Sequence, residues 1–400
     1  MTKKLFIVLL LGFSSGLPIS LVSSTLQAWF ADAGLSIWLT SSLSLISLPY
    51  LFRFLWTPLL DRYRILSLGK RRGWICGMQI LLIAGLHAIT WFKPIVSPGI
   101  MAMLAFILAI FSATQDAAID AHRIEYLPSE YYGLGASLAS TGYRIGMLMS
   151  GGVALVIAQN YGWIVAYRAM SAALLVGVLA ILWSPEPKKT TVTNSTVLDS
   201  FMAPVRDLLS RSGIFSFCIF ILLFKLGEVF TTAISGIVMP FLIQGLGFSL
   251  ATIGYVNKIW GTLALILGGV AGGVLMLRLN LYRALLYFGL LQAVTNLLFV
   301  FLAMAGKNIV LFSLAVISDN FAAGMGSTAL VALIMRFVNQ KFTATQFSIL
   351  VCIAGLPRVF SGPMGAFLQI HYGWIGLYMI AFLLSFMFIP FLHKIKTKSL

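Results

Sequence analysis

Of the 400 residues, 60% are apolar and only 10% charged, with a mean hydropathy of +0.98, whereas soluble domains average about 45–50% apolar and about 25% charged. So little charge cannot cover a water-facing surface, which excludes a cytosolic enzyme and requires side chains that face lipid. The 27 Lys and Arg against 11 Asp and Glu give +16, but these charges fall almost entirely between the apolar stretches. They read as a topology signal and an attraction to anionic lipid, not as a nucleic-acid footprint.

Lys3 and Lys4 precede an apolar run from Leu5 that lacks a small-residue cleavage site, so the run is read as a first membrane helix and not as a removed signal. A hydrocarbon core of about 30 Å takes about 20 residues per helix. On that measure the spans run Leu5 to Ala28, Leu39 to Leu60, Trp74 to Phe92, Ile100 to Ala121, Leu134 to Ala158 and Trp163 to Ser184. After a polar stretch they continue Ile214 to Met239, Leu250 to Leu277, Tyr282 to Ala305, Ile309 to Arg336, Thr345 to Gln369 and Trp374 to Leu392, here numbered spans 1 to 12. Cys76, Cys218 and Cys352 all lie in apolar runs without metal-ligand spacing, so neither a disulfide framework nor a metal site is expected.

The N-terminus, the even-numbered loops and the C-terminus hold 19 of the 27 Lys and Arg. The opposite loops and their margins hold Lys93, Arg168 and Lys307. Positive residues favour the cytoplasmic side, so both termini are expected there. Residues 185–212 form the long polar segment, dividing a half at 1–184 from a half at 213–400. The halves repeat: Ser150-Gly151, Tyr161-Gly162-Trp163-Ile164 and Tyr167 recur as Ser361-Gly362, Tyr372-Gly373-Trp374-Ile375 and Tyr378, each pair offset by 211 residues. Two parallel six-helix halves predict an all-α integral membrane protein with the major facilitator fold.

The loop after span 2 reads Pro58-Leu59-Leu60-Asp61-Arg62 and then Gly69-Lys70-Arg71-Arg72, which resembles the facilitator loop signature apart from five extra residues before Gly69 and Thr57 in place of its first glycine. Further stretches cover nearly all of residues 10–390. They include Leu11-Gly12-Phe13-Ser14-Ser15-Gly16-Leu17-Pro18, Thr25-Leu26-Gln27-Ala28-Trp29, Phe54-Leu55-Trp56-Thr57, Ser112-Ala113-Thr114-Gln115-Asp116, Gly142-Tyr143-Arg144-Ile145-Gly146-Met147, Val256-Asn257-Lys258 and Ala344-Thr345-Gln346-Phe347. These resemble the AmpG-type muropeptide permeases. The resemblance implies proton-driven import, from periplasm to cytoplasm across the cell inner membrane, of N-acetylglucosaminyl-anhydro-N-acetylmuramyl peptides for peptidoglycan recycling. Larger members carry extra C-terminal spans, so the chain resembles the shorter branch. Eukaryotic relatives are associated with acetyl-CoA, which keeps another anionic or amphiphilic solute, or a drug, as the alternative substrate.

An ionisable group at mid-membrane costs about 2.5–3.5 kcal/mol on insertion scales, so each needs a partner, water or a task. Asp116 and Asp120 share a face of span 4, continued by Arg123; two ionised carboxylates so close repel, which makes one of them a proton site. The plainer reading leaves Asp120 and Arg123 in the headgroup zone. Lys225 and Glu228 in span 7 are spaced to pair along a helix. Asp319 in span 10 has no cation nearby in sequence and must find Lys258 or Arg358 across helices, or hold a proton. Proton coupling is therefore expected among Asp116, Asp120, Glu228 and Asp319.

Arg144, Lys225, Lys258 and Arg358 are candidates to meet substrate carboxylates, Arg by its planar fork; the structural alternative pairs Arg144 with Asp116 or Asp120. Gln27, Gln115, Tyr143, Asn257 and Trp260 suit sugar hydroxyls and ring faces. Arg53 reads as a gate or headgroup contact, and Asp61, Arg62, Lys70, Arg71 and Arg72 as a lock on the cytoplasmic face. Glycines such as Gly12, Gly16, Gly142, Gly146, Gly268 and Gly272 permit close helix contact. The four histidines form no HExxH or related spacing, so the expectation is a monomeric transporter without cofactor or metal, not a membrane enzyme; a binding-only sensor has little support from the repeat.

Overall fold

The computed structural model describes residues 2–65, 67–128, 131–186, 202, 205–211, 213–232, 236–338 and 343–399. Most of the expected linker at 185–212 lies outside them. Every regular element among the described residues is a helix, as lipid requires, since only a helix satisfies its own backbone hydrogen bonds within one apolar segment. Nine helices among them are long and apolar enough to cross a membrane. Two shorter apolar helices, Ile37–Phe52 and Ile214–Leu226, occupy spans 2 and 7. The stretch Ile349–Ile395 covers spans 11 and 12, which part at Gly373.

The repeat in the sequence has a backbone cause. Gly162 and Gly373 both adopt positive φ, at 85° and 68°, a conformation that strains any residue with a Cβ. Each breaks the chain between two spans, ahead of the Trp-Ile that starts the next. The helices Pro98–Tyr126 and Ile309–Phe337 have 29 residues each and start 211 positions apart, as do Lys70–Ile89 and Leu281–Ala305. At 1.5 Å per residue a helix of that length reaches about 43 Å and overruns a core of about 30 Å. Such a helix is longer than the slab is thick, and Asp120, Arg123 and Glu125 lie in the last turns of Pro98–Tyr126.

The chain divides into two compact units, one of Met1–Leu35, Leu45–Thr193 and Ser249–Gly254, the other of Ser36–Ser44, Asn194–Phe248 and Tyr255–Leu400. Each has its own apolar core. In the first, Ile7, Leu11, Ile75, Ile119 and Ile181 pack together; in the second, Phe217, Phe220, Phe288, Leu333 and Phe388 do. Within the first unit Gly12 and Gly16 lie against the backbone of Ala139 and Tyr143, and Gly142 and Gly146 against that of Leu9 and Phe13, so spans 1 and 5 meet with no room for a Cβ. Within the second, Gly268 and Gly272 do the same against Phe321 and Met325 of span 10. Small residues are how helices gain packing energy where lipid offers no hydrophobic drive.

Several spans are irregular. Span 2 is cut into short pieces, Ile37–Ser42, Leu43–Ser47, Leu48–Phe52, Arg53–Leu55 and Thr57–Arg62, with Pro49 and Pro58 at piece starts, where a missing N–H is tolerated. Span 5 widens to a π turn at Met149–Val153 and span 8 at Gly254–Trp260. Span 7 leaves the α-helix after Leu226 and resumes at Val238–Pro240, with turns through residues 227–232.

Candidate functional site

The break in span 7 collects the charges of the second unit. Lys225 sits in the last helical turn, where exposed carbonyl ends favour a cation, and Glu228 lies in the turn that follows. Lys225 Nζ donates to Glu228 Oε1 at 2.8 Å and to Ser327 Oγ of span 10 at 2.7 Å, which is the pairing expected from the sequence spacing. A second cation shares that oxygen: Arg358 Nη2 of span 11 reaches Glu228 Oε1 at 3.4 Å. The Glu228 side chain is 6% exposed and that of Arg358 42%. A buried carboxylate thus holds two cations, one of them half open, and the trio carries one net positive charge.

The unwound turn frees a carbonyl that the helix no longer uses. Asn296 Nδ2 donates to Gly227 O at 2.6 Å and Ser385 Oγ does so at 3.2 Å. Spans 9 and 12 thereby satisfy the break, as a helix opened inside a membrane protein must be.

Next to this turn lies Asp319, fully buried. Its expected partners do not reach it: Arg358 goes to Glu228 instead, and no ion pair to Asp319 occurs among the described residues. Span 10 turns this side chain toward neutral donors. Its Oδ1 accepts from Gln292 Nε2 at 2.6 Å and from Thr231 and Thr295 Oγ1 at 3.2 Å each, while Oδ2 is buried without a partner. Thr231, Gln292, Thr295, Asn296 and Ser385 are the residues that sequence reasoning missed. Their signal was present as polar groups inside apolar spans, but such residues also serve as ordinary packing.

Asn257 and Lys258 of span 8 are both buried in the π turn at Gly254–Trp260, an irregularity often found at functional positions. Asn257 Nδ2 has no partner there. Trp260, at the end of the same turn, is exposed.

In the first unit the two carboxylates of span 4 part company. Asp116 is buried and accepts from Ser15 Oγ of span 1 at 2.5 Å. Asp120, one turn on and partly exposed, pairs with Arg123 at 3.0 Å and Arg53 at 3.6 Å. Arg53 is therefore an ion-pair partner within the half and not simply a headgroup contact. Arg144 takes neither acid; its side chain is exposed, because span 5 turns its glycine stripe, not Arg144, toward span 1. Gln115 Nε2 donates to Ser14 O at 2.9 Å, and Gln27 is fully buried with both amide atoms unpartnered. Tyr143 is half-buried.

The loop before span 3 is anchored by two acids absent from the sequence-based expectation. Arg71 grips Glu125 at the end of span 4 through Nη2 at 2.6 Å and Nε at 3.0 Å. The Glu186 carboxylate accepts from the backbone N–H of Arg71 at 2.9 Å and of Arg72 at 3.1 Å, a negative charge placed on a helix N-terminus. Arg72 donates to the carbonyls of Ile181 and Leu182. Lys70 opens the helix, whereas the side chains of Asp61 and Arg62 lie outside what is described. No group of three or more His, Cys, Asp or Glu able to hold a metal occurs among the described residues.

The profile of the Major Facilitator Superfamily matches residues 5–362. The chain is 41% identical over 377 residues to the anhydromuropeptide permease of Escherichia coli strain K12, covering 94% of this chain and 76% of that permease. Among solved structures, a mutant of the nucleoside transporter NupG matches with a TM-score of 0.75 at 14% identity, over 97% of this chain and 99% of that one. The D-xylose-proton symporter matches with 0.74 at 14%, over 98% and 97%. At such identity the two structures show likeness of fold.

Proposed function

The chain belongs to the major facilitator superfamily and, within it, to the AmpG-type permeases, and on that footing we propose that it is a proton-driven importer of anhydromuropeptides. It is a multi-pass membrane transporter, as its relatives are permeases and transporters. The proposal adds the cell inner membrane as its site, both termini on the cytoplasmic side, twelve spans in halves at 1–184 and 213–400, and a monomer in contact with lipid.

One observation carries the substrate class: Glu228, buried in the break of span 7, is shared by Lys225 and a half-exposed Arg358. A muropeptide is a sugar bearing carboxylates. Its carboxylate competes with Glu228 for Arg358, and the guanidinium fork is suited to that exchange. Broken helices with exposed backbone ends are where secondary transporters hold charged substrates and coupling ions. Arg144, Lys258, Gln27, Gln115, Tyr143, Asn257 and Trp260 are proposed as further substrate contacts. Protons enter through a carboxylate among Asp116, Asp120, Glu228 and Asp319, and the loop of Asp61, Arg62, Lys70, Arg71 and Arg72 acts as the cytoplasmic gate.

The test is uptake of radiolabelled anhydromuropeptide into proteoliposomes of verified orientation, with and without an inward proton gradient. Gradient-driven accumulation that Arg358→Ala abolishes is the expected result. Accumulation of acetyl-CoA or a drug in place of the muropeptide would replace the substrate. Uptake indifferent to the gradient would remove the proton coupling.

A further inference from the structure

The second unit contains two charge systems side by side. The trio of Lys225, Glu228 and Arg358 carries one positive charge in excess, and among the described residues no ion pair reaches Asp319. The two are joined. Thr231 Oγ1 donates to Asp319 Oδ1 at 3.2 Å and also meets Glu228 O at 3.3 Å. Gln292, which donates to Asp319, lines with Glu228, Gly227 and Ser385 a cavity of about 10 Å³, room for about one water. Gln292 Oε1 and Asp319 Oδ2 are both buried without a partner.

The groups that face Asp319 are Glu228 and Thr231 from span 7, Gln292 and Thr295 from span 9, and Tyr378 from span 12, whose hydroxyl is also unpartnered. Asp116, by contrast, has the Arg53 guanidinium within electrostatic reach. Ionised and fully buried, Asp319 depends on three neutral donors at one oxygen and is opposed by the charge of Glu228, which Lys225 and Arg358 offset. A substrate carboxylate that draws Arg358 away leaves the charge of Glu228 less offset. The cost of an ionised Asp319 then rises, and a proton on it becomes favoured; by reciprocity the proton favours the substrate.

We propose that Asp319 is the carboxylate that takes up the transported proton, and that anion binding at the Lys225, Glu228 and Arg358 trio drives that uptake. The assignment rests on the proton-coupled reading above and names the residue and the coupling. The proton arrives from water on the uptake side when substrate binds, and leaves to the cytoplasm once substrate has gone and Arg358 is back on Glu228.

The experiment compares wild type with Asp319→Asn and Thr295→Val in three readouts: anhydromuropeptide binding across pH, exchange with preloaded substrate, and accumulation under an inward proton gradient. Wild type is expected to bind more tightly as pH falls. Asp319→Asn is expected to lose that pH dependence and the accumulation while keeping exchange. Thr295→Val keeps the carboxyl but removes a donor to its ionised form, so the midpoint of the binding profile moves to higher pH. Accumulation by Asp319→Asn at the wild-type level, or an unmoved midpoint in Thr295→Val, overturns the assignment, and the second variant decides should the first fail to fold. Wild type that neither exchanges nor accumulates the muropeptide refutes the transport reading itself.

Discussion

Replacing Glu228 by Gln removes the single anion that two cations share, and the structure sets the size of the effect. The Lys225 ammonium is buried, and without Glu228 its remaining acceptor is Ser327 Oγ at 2.7 Å. Stranding one partner of a buried pair costs about 3–5 kcal/mol. Lys225→Met is milder, because Glu228 keeps Arg358 at 3.4 Å; a loss of about 1–3 kcal/mol follows from weakening a buried polar contact without abolishing it. The double variant Lys225→Met with Glu228→Gln leaves no buried unpaired charge, since the Arg358 side chain is 42% exposed. It should return to within about 1 kcal/mol of wild type, as buried pairs replaced together often do. The coupling is read as a double-mutant cycle from reversible unfolding in mixed micelles, followed by tryptophan fluorescence. A Glu228→Gln protein as stable as wild type, or a double variant as weak as the two single losses added, would refute the reasoning. Transport should separate from stability: the rescued double variant folds but does not accumulate muropeptide.

Gly16→Val should force spans 1 and 5 apart, because a Cβ at Gly16 meets the Tyr143 carbonyl; a loss of at least about 1–3 kcal/mol from overpacking is read as a fall in monodisperse protein on size exclusion, while Gly273→Ala, with nothing within 4 Å, is unaffected. Glu125→Gln weakens the 2.6 Å ion pair of the buried Arg71 guanidinium and should cost about 1–3 kcal/mol, whereas Asp120→Asn, in pairs that are 40–44% exposed on the side facing Arg53, should cost no more than about 1 kcal/mol; a smaller loss for Glu125→Gln than for Asp120→Asn would contradict this ordering. Asn296→Leu frees the Gly227 carbonyl of its 2.6 Å donor, and about 1–3 kcal/mol of stability should go with it; the break in span 7 should then exchange its amide hydrogens faster, which mass spectrometry checks.

The sequence by itself determined what depends on local periodicity and solvent. Hydropathy placed the apolar stretches because a membrane helix must bury about 20 residues whatever it packs against. The 211-residue repeat marked Gly162 and Gly373, whose positive φ is a local demand. The Lys225 and Glu228 pair was legible because three residues along a helix are neighbours in any fold. Tertiary structure alone decided which faces meet. Arg358, 130 positions from Glu228, became its second partner and left Asp319 to neutral donors, the reverse of the pairing that charge counting suggests. Glu125 took the Arg71 guanidinium, Glu186 the backbone N–H groups of Arg71 and Arg72, and Arg144 took no acid of span 4. The rotation of each helix about its axis is set by the fit of glycine stripes such as Gly12 and Gly16 against the Ala139 and Tyr143 backbone, and that fit between distant segments turns an ionisable residue toward an ion pair, a hydroxyl or open space.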